Sequence, residues 1–132
     1  MIELVEDRLD IDTYLELRQS VQFRELTRDQ AKKGLSNSLY TLVAFKDGKA
    51  VGMGRIVGDG AIICYVQDLI IRPEVQGEGI GGLILETLKK FVIQEGYEGT
   101  TMMFDLMCAK GREEFYKKHG FIARPTKIWD LE

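Results

Sequence analysis

The sequence predicts one domain of the α/β (α+β) class, with helices packed on a mixed, largely antiparallel sheet. Three observations lead to this fold class. Short apolar runs alternate like strands, whereas longer segments place apolar residues at helical spacing. The central strand-like runs, within residues 40–71, are separated by turns too short for crossover helices, which argues against a doubly wound sheet. The last of these runs leads directly into a glycine-rich turn and a long amphipathic segment.

The N-terminal part of the chain predicts one strand and two helices. Residues 2–5 alternate as in a strand, and residues 11–23 carry an apolar stripe at helical spacing. Thr27 and Gln30 have the spacing of a capping box, in which each side chain bonds to the backbone N–H of the other residue. A second, short helix should therefore begin here and run to about residue 35.

The middle of the chain predicts three strands joined by hairpins. Residues 40–45 form the first strand, and the Asp47-Gly48 pair after it is a strong signal for a two-residue turn. The return strand, the next turn and the third strand follow at residues 50–57, 58–60 and 61–71.

The principal helix is predicted over residues 80–95, because one of its faces is apolar throughout. Gly96 stands directly after it, at a position suited to a C-cap. The apolar face consists of Ile80, Ile84, Leu88, Phe91 and Val92.

The C-terminal part predicts a strand, a helix and a return to the sheet. Residues 101–108 are apolar and β-prone apart from Asp105. Residues 111–119 form a helix whose acidic first turn and basic last turn complement its dipole, and Gly120 ends it. Residues 121–131 then return as one or two strands.

Size and composition limit the classes of protein that this chain can represent. Its 132 residues fit a single domain over 1–132, and no apolar run approaches the ~20 residues of a membrane span. The acidic N-terminus lacks the features of a signal peptide. Cys64 and Cys108 lie in apolar segments without CxxC spacing, so reduced thiols and a cytoplasmic location are expected. A net charge of -3 argues against nucleic acid as a partner.

The glycine-rich turn between the third strand and the principal helix reads Gln76-Gly77-Glu78-Gly79-Ile80-Gly81. It directs unpaired N–H groups and the positive end of a helix dipole at one point, so it predicts a phosphate site; a tight turn without a ligand is the alternative. A P-loop needs Lys and Ser/Thr after its last glycine, where this chain has Leu83. A dinucleotide fingerprint needs a parallel βαβ unit, and a kinase loop needs a much longer chain.

This turn resembles the Arg/Gln-x-x-Gly-x-Gly/Ala signature of the Gcn5-related N-acetyltransferase (GNAT) family. The preceding residues 69–73, Leu-Ile-Ile-Arg-Pro, resemble the strand and proline before that signature. Residues 115–121, Phe-Tyr-Lys-Lys-His-Gly-Phe, are similar to the family's second hallmark, aromatic-Tyr-x-x-x-Gly-Phe. The resemblance is strong over residues 65–121, and before residue 40 it rests on element order alone.

The resemblance implies a sheet of about six to seven strands flanked by about four helices, with acetyl-coenzyme A as co-substrate and no metal. It implies that the amides of the turn bind the diphosphate and that the preceding strand pairs with the pantetheine arm, which requires a splay between the strands at 61–71 and 101–108. The side chain of Gln76 is a further candidate donor to the phosphate. The cofactor-binding residues expected are Leu69, Ile70, Ile71, Gln76, Gly77, Glu78, Gly79, Ile80, Gly81, Gly82, Lys110 and Tyr116.

Acetyl transfer to an amine needs a deprotonated amine, an oxyanion donor and a proton for the leaving thiolate. Backbone N–H groups of residues 69–71 suit the oxyanion. By resemblance Tyr116 protonates the thiolate, and a purely structural aromatic residue is its alternative. Asp68, a carboxylate in an otherwise apolar strand, is the candidate general base or amine ligand. Because an unpaired buried carboxylate is costly, a structural, hydrogen-bonded acid is the alternative for Asp68.

Four other polar residues are weaker candidates. Glu25 borders the acceptor pocket that the resemblance implies, although a solvated helix end also accounts for it. Asp105 is unusual in its strand, although a position facing solvent at a sheet opening equally accounts for it. A base acting through ordered water, with no single dedicated residue, is a further alternative. A covalent route through Cys108 is disfavoured, because a buried cysteine behaves as a small hydrophobe and the resemblance implies direct transfer. His119 suits a cation at a helix end, and the chain has no ligand-spaced cluster for a metal.

The segment before the last helix and the C-terminal tail add three expectations. Lys110 and Arg112 flank the region where the resemblance places the adenosine-phosphate end, with solvated surface charge as the alternative. The family often has Asn near the position of Ala109, and its absence leaves that contact to backbone groups or Lys110. Trp129 is expected to line the acceptor pocket or an inter-subunit contact, and many relatives form homodimers.

These features predict a cytoplasmic enzyme that acetylates a primary amine. The short region before residue 40 favours a small-molecule acceptor, while a protein amine stays open. No membrane partner is expected. The alternative function is a non-catalytic acyl-coenzyme A sensor that regulates a partner protein, which would keep the glycine turn but would not need Tyr116.

Overall fold

A computed structural model describes residues 1–123. Within that range the chain forms a five-stranded sheet with four α-helices, which confirms the predicted fold class. The strands are β1 (Ile2–Glu6), β2 (Tyr40–Lys46), β3 (Lys49–Gly58), β4 (Ile63–Ile71) and β5 (Met103–Leu106). The helices are α1 (Ile11–Ser20), α2 (Arg28–Ser36), α3 (Ile80–Glu95) and α4 (Glu113–Lys118).

The strand count is lower than the six to seven expected. The predicted terminal strands at 121–131 account for the difference, because residues 121–123 form no strand and the rest lie outside the described residues. The sheet order is β1-β2-β3-β4-β5, with antiparallel pairing from β1 to β4 and a parallel β4–β5 pair. β2, β3 and β4 are joined by short turns, which only antiparallel neighbours allow, whereas α1 and α2 lie between β1 and β2.

The two central hairpins follow their turn residues. Asp47 (φ 52°) and Gly48 (φ 81°) both adopt the left-handed conformation that a two-residue hairpin turn needs. At the next turn one carboxylate oxygen of Asp59 accepts from the N–H groups of residues 61, 62 and 63, at 2.9, 2.7 and 3.0 Å. These bonds lower the pKa of Asp59. They also explain why β4 begins at Ile63 and not at residue 61 as predicted.

Helices cover both faces of the sheet. On one face α3 buries Ile84 and Leu88 against the central strands. Gly54 of β3 permits this approach, since a Cβ there would lie 2.7 Å from a methyl carbon of Ile84. On the other face α1 and α2 pack Tyr14, Leu17 and Ala31 against Val43, Met53 and Ile70.

The start of α3 differs from the starts of α1 and α2, which are capped by side chains. Asp10 caps α1 by accepting from the N–H of Thr13 at 2.7 Å, and the predicted capping box of Thr27 and Gln30 is present at the start of α2. α3 instead begins after Gly79, and no side chain of the described residues caps it. Several predicted ends differ by a few residues. α1 stops at Ser20, before a left-handed residue at 22, and Gly96 ends α3 without the left-handed conformation expected of it.

None of the helices within residues 1–123 combines the length and the apolar character that crossing a bilayer demands.

Candidate active site

The parallel β4–β5 pair covers only the first half of β4. Its ladder runs from Ile63 opposite Met103 to Val66 opposite Leu106. Beyond Val66, residues 67–71 have no strand partner on the β5 side among the described residues. β4 therefore has an open edge beyond Val66, at the place where the predicted splay would admit a ligand.

Leu69 and Ile71 present their backbone groups to this open edge. The N–H of Arg72 donates to the carbonyl of Val51 in β3 at 2.8 Å. Because successive residues of a strand point their N–H and C=O groups to opposite sides, Ile70 also faces β3, and its two neighbours face away from it. The structure therefore brings the backbone groups of Leu69 and Ile71, but not those of Ile70, to the edge, and Ile70 is also almost fully buried.

A β-bulge lies where β5 departs from β4. Arg55 of β3 stands opposite Asp68, and the next residue, Ile56, stands opposite Val66, so Gln67 is an extra residue in β4. After the bulge the side chains of Asp68 and residue 70 face α1, and those of residues 69 and 71 face α3. The bulge thereby determines that the side chains of residues 69 and 71 lie on the α3 side of the open edge.

The glycine turn connects this edge to α3. Gly77 (φ 88°) and Gly79 (φ 85°) are left-handed, and a Cβ on either would meet nothing within 4 Å. Glycine is therefore needed here for backbone conformation and leaves open space over the turn. With no side-chain cap from residues 1–123, the first N–H groups of α3 are available to an external acceptor. The residues present thus fit a diphosphate.

Three side chains of the turn are already engaged. The amide of Gln76 donates to the carbonyl of Ile71 at 3.0 Å, so it ties the turn to the end of β4 and competes with the predicted bond to phosphate. Glu78 accepts from Lys46 at 2.8 Å. Ile80 is 1% exposed in the core, which leaves only its backbone for a ligand.

Gly81 and Gly82 provide the surface on which α4 rests. A Cβ on Gly82 would lie 3.3 Å from the ring of His119, and one on Gly81 would lie 3.5 Å from Phe115. The absence of side chains at Gly81 and Gly82 therefore serves the approach of α4 as well as that of a ligand. This packing holds the helix that carries Tyr116 against the start of α3.

His119 fixes the C-terminal end of α4. Its Nδ1 lies 2.7 Å from a carboxylate oxygen of Glu86, and Lys89 donates to its backbone carbonyl at 2.8 Å. The hydrogen bond from His119 lowers the pKa of Glu86. His119 thus lies at a helix end, as predicted, and it also contacts a partner on α3, Glu86.

Tyr116 lies near β5, since its ring contacts Phe121, and Phe121 in turn contacts Phe104 of β5 with ring centroids 5.3 Å apart. Burial raises the pKa of its phenol, and the nearby thiol of Cys108 contributes a smaller increase. Its ring makes edge contacts with Phe115 and Phe121, with centroids 5.1 and 5.9 Å apart. A phenol with a raised pKa stays protonated at neutral pH, as a proton donor must.

Asp68 is the centre of a buried polar network. It accepts hydrogen bonds from the Tyr14 hydroxyl at 2.7 Å, from Nε of Arg55 at 3.0 Å and from Arg18 at 3.3 Å. Its side chain is 1% exposed. Burial, followed by the charge of Asp68, raises the pKa of Tyr14. Since both carboxylate oxygens are occupied, this geometry supports the structural alternative for Asp68 over the general base.

Tyr14, Arg18 and Arg55 were not predicted from the sequence. One signal was available for Arg55. It is a charged residue in an apolar strand, as Asp68 is, and the short hairpin places the two strands side by side. No comparable signal exists for Tyr14 and Arg18 of α1, which lie 54 and 50 positions from residue 68 and meet it only through tertiary packing.

The weaker candidates lie at the surface or the sheet edge. Glu25 is exposed between α1 and α2, and Asp105 is half-buried opposite Tyr65. Lys110 and Arg112 are exposed before α4. Cys108 is also exposed, contrary to expectation, because β5 ends at residue 106. Trp129 lies outside the described residues.

Other features of residues 1–123 lie away from the open edge. No group of three His, Cys, Asp or Glu side chains within that range has the geometry to hold a metal. Two open cavities, of about 500 and 330 Å³, are lined by residues of α1 and α2 and by the C-terminal end of α3. The candidate site is a strand edge and a helix start, apart from both of these cavities.

Comparison with known proteins agrees with this geometry. Residues 37–123 match the model of the acetyltransferase (GNAT) domain. A probable acetyltransferase of unknown function from meticillin-resistant Staphylococcus aureus has a crystal structure that matches with a TM-score of 0.87 and 26% identity, over the whole of both chains.

Two curated relatives carry functional names. Histone acetyltransferase TAP1 from Glycine max is 30% identical over 80 residues, which cover 61% of this chain and 33% of that protein. Serotonin N-acetyltransferase 2, chloroplastic, from Oryza sativa subsp. japonica is 24% identical over 124 residues, which cover 91% and 60% of the two chains. The chain spans about a third of the length of the first curated relatives it matches. Because the family model covers more than half of the chain and the fold agrees with it, the chain belongs to the GNAT acetyltransferase family.

Proposed function

We propose that this protein is an acetyl-coenzyme A-dependent N-acetyltransferase that transfers acetyl directly to a primary amine in a ternary complex. The observation that carries the proposal is the start of α3. Uncapped N–H groups follow a left-handed glycine there, at the end of a strand whose edge is open among the described residues. An elongated ligand with an anionic middle and an amide-bearing arm fits both features together.

Each part of the ligand has a complementary group on the chain. Acetyl-coenzyme A supplies a thioester carbonyl that an amine can attack. The first turn of α3 holds the diphosphate. The edge groups of Leu69 and the N–H of Ile71, whose carbonyl already accepts from Gln76, hold the arm as an added strand would. Tyr116 gives its proton to the leaving sulfur, whose conjugate acid has a pKa near 8.5. With Asp68 occupied by its network, the amine loses its proton through ordered water.

A small-molecule amine is the acceptor that we propose. The name of the rice relative specifies serotonin, an arylalkylamine, and that relative aligns with 91% of this chain. The soybean relative is named for histones, so a protein amine is the competing acceptor. Coenzyme A release with tryptamine-like amines, polyamines and a lysine-rich peptide separates these classes. Turnover of the peptide alone would contradict a small-molecule acceptor.

The non-catalytic sensor remains the second candidate function, because the glycine turn alone would satisfy it. Binding of acetyl-coenzyme A without turnover on any amine class would favour the sensor. The cytoplasmic location, the single domain over 1–132 and the homodimer stay predictions.

Substitution of Gly79 by Ala tests the diphosphate site. The residue is left-handed with open space around it, so the folded protein bears mainly backbone strain, of order 1–2 kcal/mol. We expect calorimetry to record at least tenfold weaker binding of coenzyme A, since the new Cβ stands over the phosphate position. Gly48→Ala is the matched control, because Gly48 is equally left-handed and open but lies in the β2–β3 turn. Equal affinities for both variants would contradict the assignment.

The raised pKa of Tyr116 predicts the shape of the pH–rate profile. A primary amine with a pKa near 10.4 becomes reactive as pH rises, so the rate should climb through the alkaline range. Because the raised pKa keeps the proton on the phenol beyond its ordinary range, no loss of the proton donor should interrupt that climb. A falling limb between about pH 8 and 9 that disappears in Tyr116→Phe would assign that titration to Tyr116 and would contradict its raised pKa.

A further inference from the structure

Two carboxylates lie within or just before the glycine turn, near the amides assigned to the diphosphate. Glu74 lies in the short 3-10 turn after β4, and Glu78 lies between the two left-handed glycines. The diphosphate of a coenzyme carries two negative charges at neutral pH. A bare carboxylate in this turn would therefore oppose binding through like-charge repulsion.

The opposing positive charges come from the β2–β3 hairpin. Lys46, the last residue of β2, places its Nζ 2.8 Å from a carboxylate oxygen of Glu78. Lys49, the first residue of β3, places its Nζ 3.9 Å from Glu74. Glu78 in the glycine turn and Glu74 just before it thus each face one lysine of the hairpin.

The two ion pairs differ in closeness and exposure. Lys46 and Glu78 are within hydrogen-bond distance, and their side chains are 34% and 42% exposed. Lys49 and Glu74 are further apart, and their side chains are 62% and 59% exposed. The bond to Glu78 raises the pKa of Lys46, which keeps the ammonium charged. The Lys46–Glu78 pair is therefore the one able to alter the charge of the turn, and the Lys49–Glu74 pair provides a control.

We propose that Lys46 is a positioning residue for acetyl-coenzyme A, because its ammonium neutralises Glu78 and so keeps the turn able to accept a diphosphate. The inference rests on the proposed function, since it requires the diphosphate to bind at the first turn of α3. The neutralisation of Glu78 by Lys46 explains how an acidic residue can stand between the two glycines of a turn that binds an anion. It also gives the β2–β3 hairpin a role in the site, although the hairpin contributes no residue of either sequence hallmark.

Calorimetric titration with coenzyme A at low ionic strength tests this role. Lys46→Ala leaves the carboxylate bare, and we expect about fivefold weaker binding. Glu78→Gln should bind at least as tightly as the wild-type protein. The double variant Lys46→Ala/Glu78→Gln should recover wild-type affinity to within about twofold. A lysine that only stabilised the fold would not be rescued by removal of its partner.

Lys49→Ala serves as the matched control and should bind within about twofold of the wild-type protein, because its ion pair is loose and exposed. At ~0.5 M salt the defect of Lys46→Ala should shrink, since screening shortens the reach of the exposed charges. Thermal melts without ligand verify that all variants fold.

Three results would overturn the inference. Wild-type affinity of Lys46→Ala at low salt removes the role of Lys46, and so does a double variant as weak as the single one; both results leave the proposed function intact. Absence of coenzyme A binding by the folded wild-type protein removes the proposed function, and this inference with it.

Discussion

Replacement of Tyr116 by Phe should lower kcat by about 10²-fold, the lower end of the range for loss of a general acid. The phenol lies near β5 through the ring contacts of Tyr116 with Phe121 and of Phe121 with Phe104, and burial raises its pKa so that it stays protonated. Phe preserves the ring contacts with Phe115 and Phe121, so the loss reports on the proton alone. Steady-state kinetics should find kcat reduced, while calorimetry finds the affinity for acetyl-coenzyme A unchanged.

Tyr97→Phe is the matched control for this substitution. Tyr97 is 67% exposed after the end of α3, and the same loss of a hydroxyl there should leave kcat unchanged. A donor with a more acidic leaving thiol should reduce the defect of Tyr116→Phe, because such a thiolate departs without protonation. Wild-type kcat in Tyr116→Phe would remove the proton-donor assignment, and coenzyme A binding without any turnover would then favour the sensor.

Replacement of Asp68 by Asn should lower the free energy of unfolding by about 3–5 kcal/mol, as expected when one partner of a buried ion pair is lost. Asp68 is the carboxylate between Arg18 and Arg55, and the substitution leaves two buried or half-buried guanidinium groups without their counter-charge. A domain of this size has only about 5–15 kcal/mol of stability, so the variant should approach unfolding near body temperature. Urea denaturation followed by circular dichroism measures the change.

Asp12→Asn is the control for Asp68→Asn. Asp12 pairs with Arg28 at 2.6 Å, but both side chains are exposed, so its loss should not move the urea midpoint. The pair of variants also separates the two roles considered for Asp68. A structural acid predicts lost stability with kcat retained in the folded fraction, whereas a general base predicts a stable protein with little activity. Equal urea midpoints for Asp68→Asn and Asp12→Asn would contradict the structural role.

Much of the fold was predictable because its signals are local. The Asp47-Gly48 pair fixes a hairpin, and the capping box of Thr27 and Gln30 fixes a helix start, through bonds between residues close in sequence. The bounds of α3 were predicted correctly, since sixteen residues of helical periodicity end at a glycine. The start of β4 was not, because three bonds to the carboxylate of Asp59 outweighed the apolar character of residues 61 and 62.

The candidate site was predictable only in part. The glycine turn was identified because its chemistry belongs to a contiguous segment, whereas the partners of Asp68 on α1 and the ion pair of Lys46 with Glu78 join distant segments. The predicted phosphate bond of Gln76 competes with its bond to Ile71, which depends on how the turn folds back on β4. Such contacts depend on packing and leave no local pattern.

The sequence by itself determined the order of the elements, the glycine turn at the start of α3 and the family of the chain, because short-range periodicity and turn chemistry carry that information. Only the tertiary structure decided that Asp68 is held by Tyr14, Arg18 and Arg55, and that β4 has an open edge beyond its bulge. The physical reason is that a buried charge takes its partners from wherever the packed chain places them. A strand edge is likewise open or paired according to where a neighbouring strand ends.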